Sequence, residues 1–198
     1  MPGFSFPPDF KISTPRLQIT PFNPADTTHS AFLVQLWNTD DFISSCGKTG
    51  ITTPEKASSF LQGRVSAHYA YHGYGMFLVS RHTDDGLKPI GTVSLMRGMP
   101  PDSGYLAPDI GFAMLPEEGR KGYATEAAKG LLEYANKDLG VDAVFGFCSP
   151  TNQRSRGALE KIGMEFRGVR PLKAFGGEDS AVYVLSGMSE DLSVYNLD

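Results

Sequence analysis

The run DIGFAML-PEE-GRKGYATEAAKGLLEYA, residues 109–135, constrains this chain more than any other part of it. A mostly apolar stretch ends in Pro116 and two glutamates, a turn with glycines at 119 and 122 follows, and an amphipathic stretch then opens with Ala124, Ala127, Ala128, Leu131, Leu132 and Ala135 on one side. The pattern passes from strand to helix across a few residues. Such a turn leaves several amide N–H groups unpaired at the helix N-terminus, where the macrodipole is positive, and therefore predicts an anion site suited to phosphate. Gly119 and Gly122 permit positive φ and close backbone approach, Ala124 is small, and Arg120 and Lys121 add charge. The spacing is neither that of a G-x-x-x-x-G-K-[ST] loop nor that of a G-x-G-x-x-G fingerprint. A plain turn with a helix cap would use the same residues; the preceding strand and the alanine-rich helix favour the anion site.

The flanking segments predict an α/β domain over residues 11–198 behind an extended lead-in, residues 1–10, whose prolines oppose a helix and whose Phe4, Phe6 and Phe10 would strap it to the surface. RLQIT, residues 16–20, alternates as a half-buried strand does. Phe32, Leu33, Leu36 and Trp37 suggest a short helix. Thr53-Pro54 is a helix start, followed by a face of Ala57, Phe60, Leu61 and Val65. MFLVS and PIGTVSLM, separated by a stretch containing Asp85-Gly86, predict an antiparallel hairpin. The connection GMPPDSGYLAP then leads to the strand at 109–115. VDAVFGFC, 141–148, reads as a central strand, 155–162 as a helix begun and capped by Ser155, and AVYVLS, 181–186, as a last strand.

Composition removes several function classes. A net charge of -4, with a pI of 5.6, provides no cationic field for a nucleic-acid backbone. Cys46 and Cys148 are too few for a disulfide framework and have no paired ligand spacing. No stretch approaches the ~18 to 20 apolar residues needed to span a bilayer, and MPGFSFPPDF lacks the features of a signal peptide, so a cytoplasmic location without membrane attachment is expected. His68 and His72 stand four apart on a predicted helix, but no third ligand accompanies them, and no metal is expected.

In residues 11–187 the chain resembles the GNAT superfamily of acetyl-CoA-dependent N-acetyltransferases, in particular its Rim-type branch, named for acetyltransferases of ribosomal-protein N-termini. The loop pattern [QR]-x-x-G-x-[GA] is matched by Gly122 and Ala124, with Gly119 in the place of the usual Gln or Arg. RKGYATEA is close to the branch's G-K-G-Y-A-T-E-A. ISTPRLQITPF, DIGFAMLPE and TNQRSRGALEKIGMEFRG match three more of its segments, with Met164 replacing a usual Phe. The resemblance implies a mixed, mostly antiparallel sheet flanked by helices and splayed between its fourth and fifth strands. It also implies acetyl-CoA as co-substrate, with its diphosphate on the amides of Arg120, Lys121, Gly122, Tyr123, Ala124 and Thr125. Ala113 and Leu115 would offer backbone hydrogen bonds to the pantetheine arm, and Asn152 would bond it as well.

The chemistry so implied is direct transfer of acetyl to a primary amine of a small molecule or a protein N-terminus, by a monomer or a homodimer. The amine must lose a proton, the tetrahedral intermediate needs donors, and the thiolate must be stabilised as it leaves. Asp109 is the candidate base, since it precedes an apolar run that would raise its pKa; capping of the strand end is the other reading. Many relatives place a tyrosine acid where this chain has Leu159, so Ser155 becomes the candidate to stabilise the thiolate, beside its reading as a cap. A non-catalytic module keeping the CoA pocket as a sensor or scaffold is the alternative function. Cys148 reads as an inert thiol, and the side chains of Glu117 and Glu118 as turned to solvent beside the anion loop.

Overall fold

A computed structural model describes residues 4–99 and 104–197; the first three residues of the lead-in and residues 100–103 of the connection to the third apolar run lie outside the described part. Among the described residues one sheet of eight strands organises the chain. The strands are β1 (Ile12–Ser13), β2 (Leu17–Pro21), β3 (Met76–Thr83), β4 (Gly86–Met96), β5 (Asp109–Met114), β6 (Phe145–Cys148), β7 (Met164–Leu172) and β8 (Glu178–Leu185). Their spatial order is β1-β2-β3-β4-β5-β6-β8-β7, and every neighbouring pair is antiparallel except β5 and β6. The helices are α1 (Thr27–Trp37), α2 (Asp40–Cys46), α3 (Pro54–Phe60), α4 (Ser66–His72), α5 (Tyr123–Leu139) and α6 (Gln153–Lys161), with a π turn over Leu61–Val65 joining α3 to α4. No helix among the described residues is long and apolar enough to cross a membrane.

Local chemistry accounts for most of these elements. Thr53 caps α3 by accepting from Lys56 N, with Pro54 in the first turn where an N–H would be orphaned. β3 turns into β4 through Asp84-Asp85, with Thr83 paired to Gly86. The helix α5 buries Ala127, Ala128, Leu131 and Ala135, while Ala124 and Leu132 stay partly exposed. The lead-in does strap down through its rings: Phe6 lies 5.2 Å from Tyr69 and 5.5 Å from Phe77, and Phe10 lies 5.2 Å from Tyr134 on α5. Phe4 N donates to Ala70 O.

Four elements depart from the sequence expectation. The strand expected over 141–148 is only Phe145–Cys148, because Val141 N is taken by Ala135 O in the exit from α5. The helix α6 begins at Gln153 with Asn152 as its cap, whose Oδ1 accepts from Ser155 N at 3.0 Å; Ser155 is in the first turn rather than at the cap. The edge strand β7 has no counterpart in the sequence pattern, since a register shift between Phe166 and Val169 breaks its alternation and most of its residues are at least partly exposed. The same holds for α2, which buries no residue and so carries no apolar stripe.

The core has two parts. A large cluster runs along the whole sheet, from Ile19, Phe77, Val93, Ile110 and Leu131 to Leu159, Met164, Ala181 and Tyr183, and a smaller one contains Phe145, Leu172, Val182, Val184 and Met188, so alternate residues of β8 serve different clusters.

Candidate active site

The two halves of the sheet meet through only two register pairs, Asp109 with Phe145 and Ile110 with Gly146. Beyond them β5 continues beside β4 while β6 follows β8, so the strands part. Parting strands expose main-chain groups that a flat sheet would pair. The opening is a cleft of about 570 Å³, walled by β5, the loop at 118–125, the end of β6, the first turns of α6, and Asp41, Phe42 and Cys46 of α2. A wider groove of about 920 Å³ lies between residues 10–16 and α5 and, of the loop and helix start, shares only Gly122 and Thr125 with the cleft. It is the more open of the two, and several of its charges pair with one another, Arg16 with Glu126 and Lys137 with Glu133. The smaller cleft, where the strands part, is the one with main-chain groups left to bind a ligand.

Strand parity decides which main-chain groups face the gap. Leu115 N donates to Ile90 O at 2.9 Å, and the same register pairs Ala113 with Thr92 and Gly111 with Ser94. Peptide groups alternate sides along an antiparallel strand, so those of Gly111, Ala113 and Leu115 are turned to β4, and those of Phe112 and Met114 are turned to the cleft. Pro108 O, of the same parity as 112 and 114, accepts from Phe145 N on the β6 side. The expectation for Ala113 and Leu115 is corrected by one residue. Leu115 is also buried outside the cleft wall, its carbonyl taken by Glu118 N.

The loop after β5 is built to leave amides free. A 3₁₀ turn over Pro116–Glu118 leads to Arg120 at φ 61° and Gly122 at φ 81°, both left-handed, and α5 begins at Tyr123. Its first internal bond is Glu126 N to Gly122 O at 3.0 Å, so the amides of Tyr123, Ala124 and Thr125 precede the helix ladder; all three residues line the cleft, as do Arg120 and Gly122. Lys121 does not. Its ammonium lies 2.8 Å from Glu118, which is only 2% exposed and also bonds Arg81 at 3.2 Å and Lys88 at 3.4 Å. Glu118 is thus buried among cations rather than turned to solvent, and it removes the charge of Lys121 from the cleft. Burial pushes the Glu118 carboxyl up, but its bonds to Lys121 and Arg81 outweigh this and hold it below the usual range.

Arg16 braces the other side of the loop. Its Nη1 donates to Lys121 O at 3.0 Å, its Nε to Glu126 Oε2 at 2.6 Å, and its guanidinium stands 4.7 Å from the centre of the Tyr123 ring. Nothing in the sequence pattern marks Arg16, Glu126 or Glu118 as a support of the loop. Only the proximity of strand β2 to α5 brings Arg16 and Glu126 together, and only the β3–β4 hairpin brings Arg81 and Lys88 to Glu118.

Asn152 and Ser155 both line the cleft opposite the loop. With its oxygen engaged in capping, Asn152 has its side-chain N–H₂ to offer. Leu159 is 1% exposed, and a Cβ on Gly146 would come within 2.6 Å of Leu159 Cδ2; glycine lets α6 approach β6 closely. Asp109 sits at the closed end, in the first of the two register pairs before the split, and does not line the cleft itself. Its Oδ1 accepts from Tyr105 Oη at 2.5 Å. Burial pushes its carboxyl up to about 6, against the Tyr105 bond, which lowers it. His68 is buried, with Nδ1 2.9 Å from Tyr74 O and Nε2 3.0 Å from Arg97 O, and among the described residues no group of three or more His, Cys, Asp or Glu could hold a metal ion. Cys148 lies at the cleft wall, where burial raises its thiol pKa.

Comparison with known proteins agrees with this architecture. The curated protein named "Uncharacterized N-acetyltransferase YnaD", from Bacillus subtilis (strain 168), is 38% identical over 60 residues, which is 30% of this chain and 35% of that protein. The chain thus matches about a third of the length of that relative. The ribosomal-protein-S5-alanine acetyltransferase of Vibrio fischeri shares the fold with a TM-score of 0.70 at 19% identity, covering 93% of this chain and 99% of that one. RimL, a ribosomal L7/L12 alpha-N-protein acetyltransferase solved with coenzyme A, has a TM-score of 0.69 at 18% identity, covering 88% and 97%. The model of the acetyltransferase (GNAT) domain matches residues 16–165, from the arginine that braces the loop to the start of β7, and the chain belongs to that family.

Proposed function

We propose that this chain is an N-acetyltransferase that moves acetyl directly from acetyl-CoA to a primary amine, without a metal and without an acetyl-enzyme. The acceptor is a small-molecule amine or a protein N-terminus. The observation that carries this reading is the union of parted strands and an amide-lined loop in one cleft, with Phe112 and Met114 turned into the gap and Tyr123, Ala124 and Thr125 at its end. An arm with two amides fits as an added strand against Phe112 and Met114. Its diphosphate fits the helix N-terminus, aided by Arg120 and Gly122. The N–H₂ of Asn152 provides one more donor from the far wall. That RimL was solved with coenzyme A supports this choice of ligand.

The catalytic roles follow from chemistry. With a carboxyl near 6, Asp109 is ionised at neutral pH yet basic enough to accept a proton from an ammonium through water. It lies at the closed end of the cleft, two residues before Gly111 where β5 leaves β6, so in this reading the proton reaches it through water and not by direct contact. The Ser155 hydroxyl is the donor for the departing thiolate, because Leu159 has no proton to give. The test is acetyl-CoA-dependent thiol release across a panel of small amines and of peptides with free N-termini. Amine-dependent release supports the enzyme; tight CoA binding without turnover on any acceptor, and no effect of Asp109→Asn, would leave a binding module. Succinyl-CoA in the same assay reports donor preference.

A further inference from the structure

The mouth of the cleft is crossed by one ion pair, Arg154 Nη1 to Asp41 Oδ2 at 3.0 Å, which links the first turn of α6 to α2. Both residues line the cleft. The helix α2 is lightly held: no residue of it is buried, it ends on Gly47 at φ 78°, and its Phe42 ring stacks on Trp37 at 5.5 Å. The other nitrogen of Arg154, Nη2, lies 3.4 Å from where a Cβ on Gly119 would stand, so the guanidinium already reaches the loop that opens α5.

A guanidinium placed between a carboxylate and an anion-binding loop has two partners to choose from. Asp41 is a half-exposed monoanion and the pair is 63% and 46% exposed, so the bond is worth little and costs little to break. A diphosphate on the amides of Tyr123 to Thr125 offers more charge and a bidentate fit to the planar fork. We propose that Arg154 is a donor-binding residue and a latch: it holds α2 across the cleft through Asp41, and the diphosphate of the donor takes it over, freeing α2. The wall that α2 forms then loosens only after the donor is seated. This rests on the cleft being the CoA site.

Trp37, the only tryptophan in the chain, reports on the step because its ring stacks on α2. CoA is titrated into the full chain by calorimetry, with Trp37 emission followed in parallel. The expected result is an emission change that saturates with CoA. Asp41→Asn should tighten CoA about two- to five-fold and shift the emission before CoA is added. Arg154→Gln should weaken CoA about tenfold or more, shift the starting emission likewise, and cancel the gain from Asp41→Asn in the double variant. CoA binding with silent Trp37 emission, or unchanged affinity in Arg154→Gln, overturns the latch and leaves the enzyme reading standing. Absence of any CoA binding by the unaltered chain removes both.

Discussion

Arg16 Nε donates to Glu126 Oε2 at 2.6 Å, tying the residue before β2 to the first turn of α5. The other carboxylate oxygen accepts from Thr14 Oγ1 at 2.6 Å and from Arg16 N at 2.9 Å. The loop is therefore shaped by side chains from the distant turn between β1 and β2, and the amides of its helix start are left for a ligand. Arg16→Ala should weaken CoA about tenfold while lowering stability only by about 1 kcal/mol, since the arginine side chain is 49% exposed. Calorimetry and thermal melts on one preparation separate the effects; a large fall in Tm with unchanged affinity would make Arg16 a fold residue alone.

Gly122 costs its neighbours nothing in space. A Cβ there would meet only Arg16 Nη2, at 3.4 Å, which is ordinary contact, so the constraint is the backbone at φ 81°. Gly122→Ala should destabilise by about 1–2 kcal/mol and weaken CoA as the loop relaxes. Gly122→Asn should be milder on both counts, because Asn tolerates the left-handed region. Equal effects of Ala and Asn, measured by denaturant melts and CoA titration, would place the cause elsewhere.

Asp109 predicts a pH profile. A base with a carboxyl near 6 gives a kcat/KM that climbs through pH 6 and levels above it, and Asp109→Asn should remove that limb with most of the rate. The stability effect has its own sign. The folded pKa lies above the unfolded value of 3.8, so the folded state holds its proton more tightly and the aspartate costs stability progressively as pH rises from about 4 through 6. Asp109→Asn should therefore raise Tm at pH 8, with the gain shrinking towards pH 4. A variant that keeps the limb rules Asp109 out as the base.

Glu118 is a buried carboxylate ringed by Arg81, Lys88 and Lys121. Glu118→Gln should cost about 1–3 kcal/mol, because three cations lose their shared anion next to the loop. Its folded pKa is held below the unfolded value, so the stabilisation is present above about pH 4.5 and is lost as pH falls through the lower, folded value. Urea melts at pH 7 and pH 4 check both statements. The difference between unaltered chain and variant should shrink at the lower pH.

Strong periodicity makes a segment legible from its residues alone. The strand–turn–helix at 109–135, the β3–β4 hairpin and the Thr53 cap each follow from residues close in the chain, where glycine, proline and apolar spacing act directly. Weak periodicity hides α2 and β7, whose faces are mostly solvated. Asn152 and Ser155 compete for the cap of α6, and either side chain could fill that role until the helix start is known.

What the chain's own residues determined is that a free helix N-terminus follows an apolar strand, since turn chemistry and hydrophobic period are local properties. Only the tertiary structure decided which peptide groups face the cleft, because the parity of β5 depends on its register with β4, and a step of one residue turns those of Phe112 and Met114 to the gap in place of those of Ala113 and Leu115. It likewise decided that Lys121 serves Glu118 and that Arg16 braces the loop. Charges far apart in sequence find their partners only when packing of the sheet against α5 has removed the water between them.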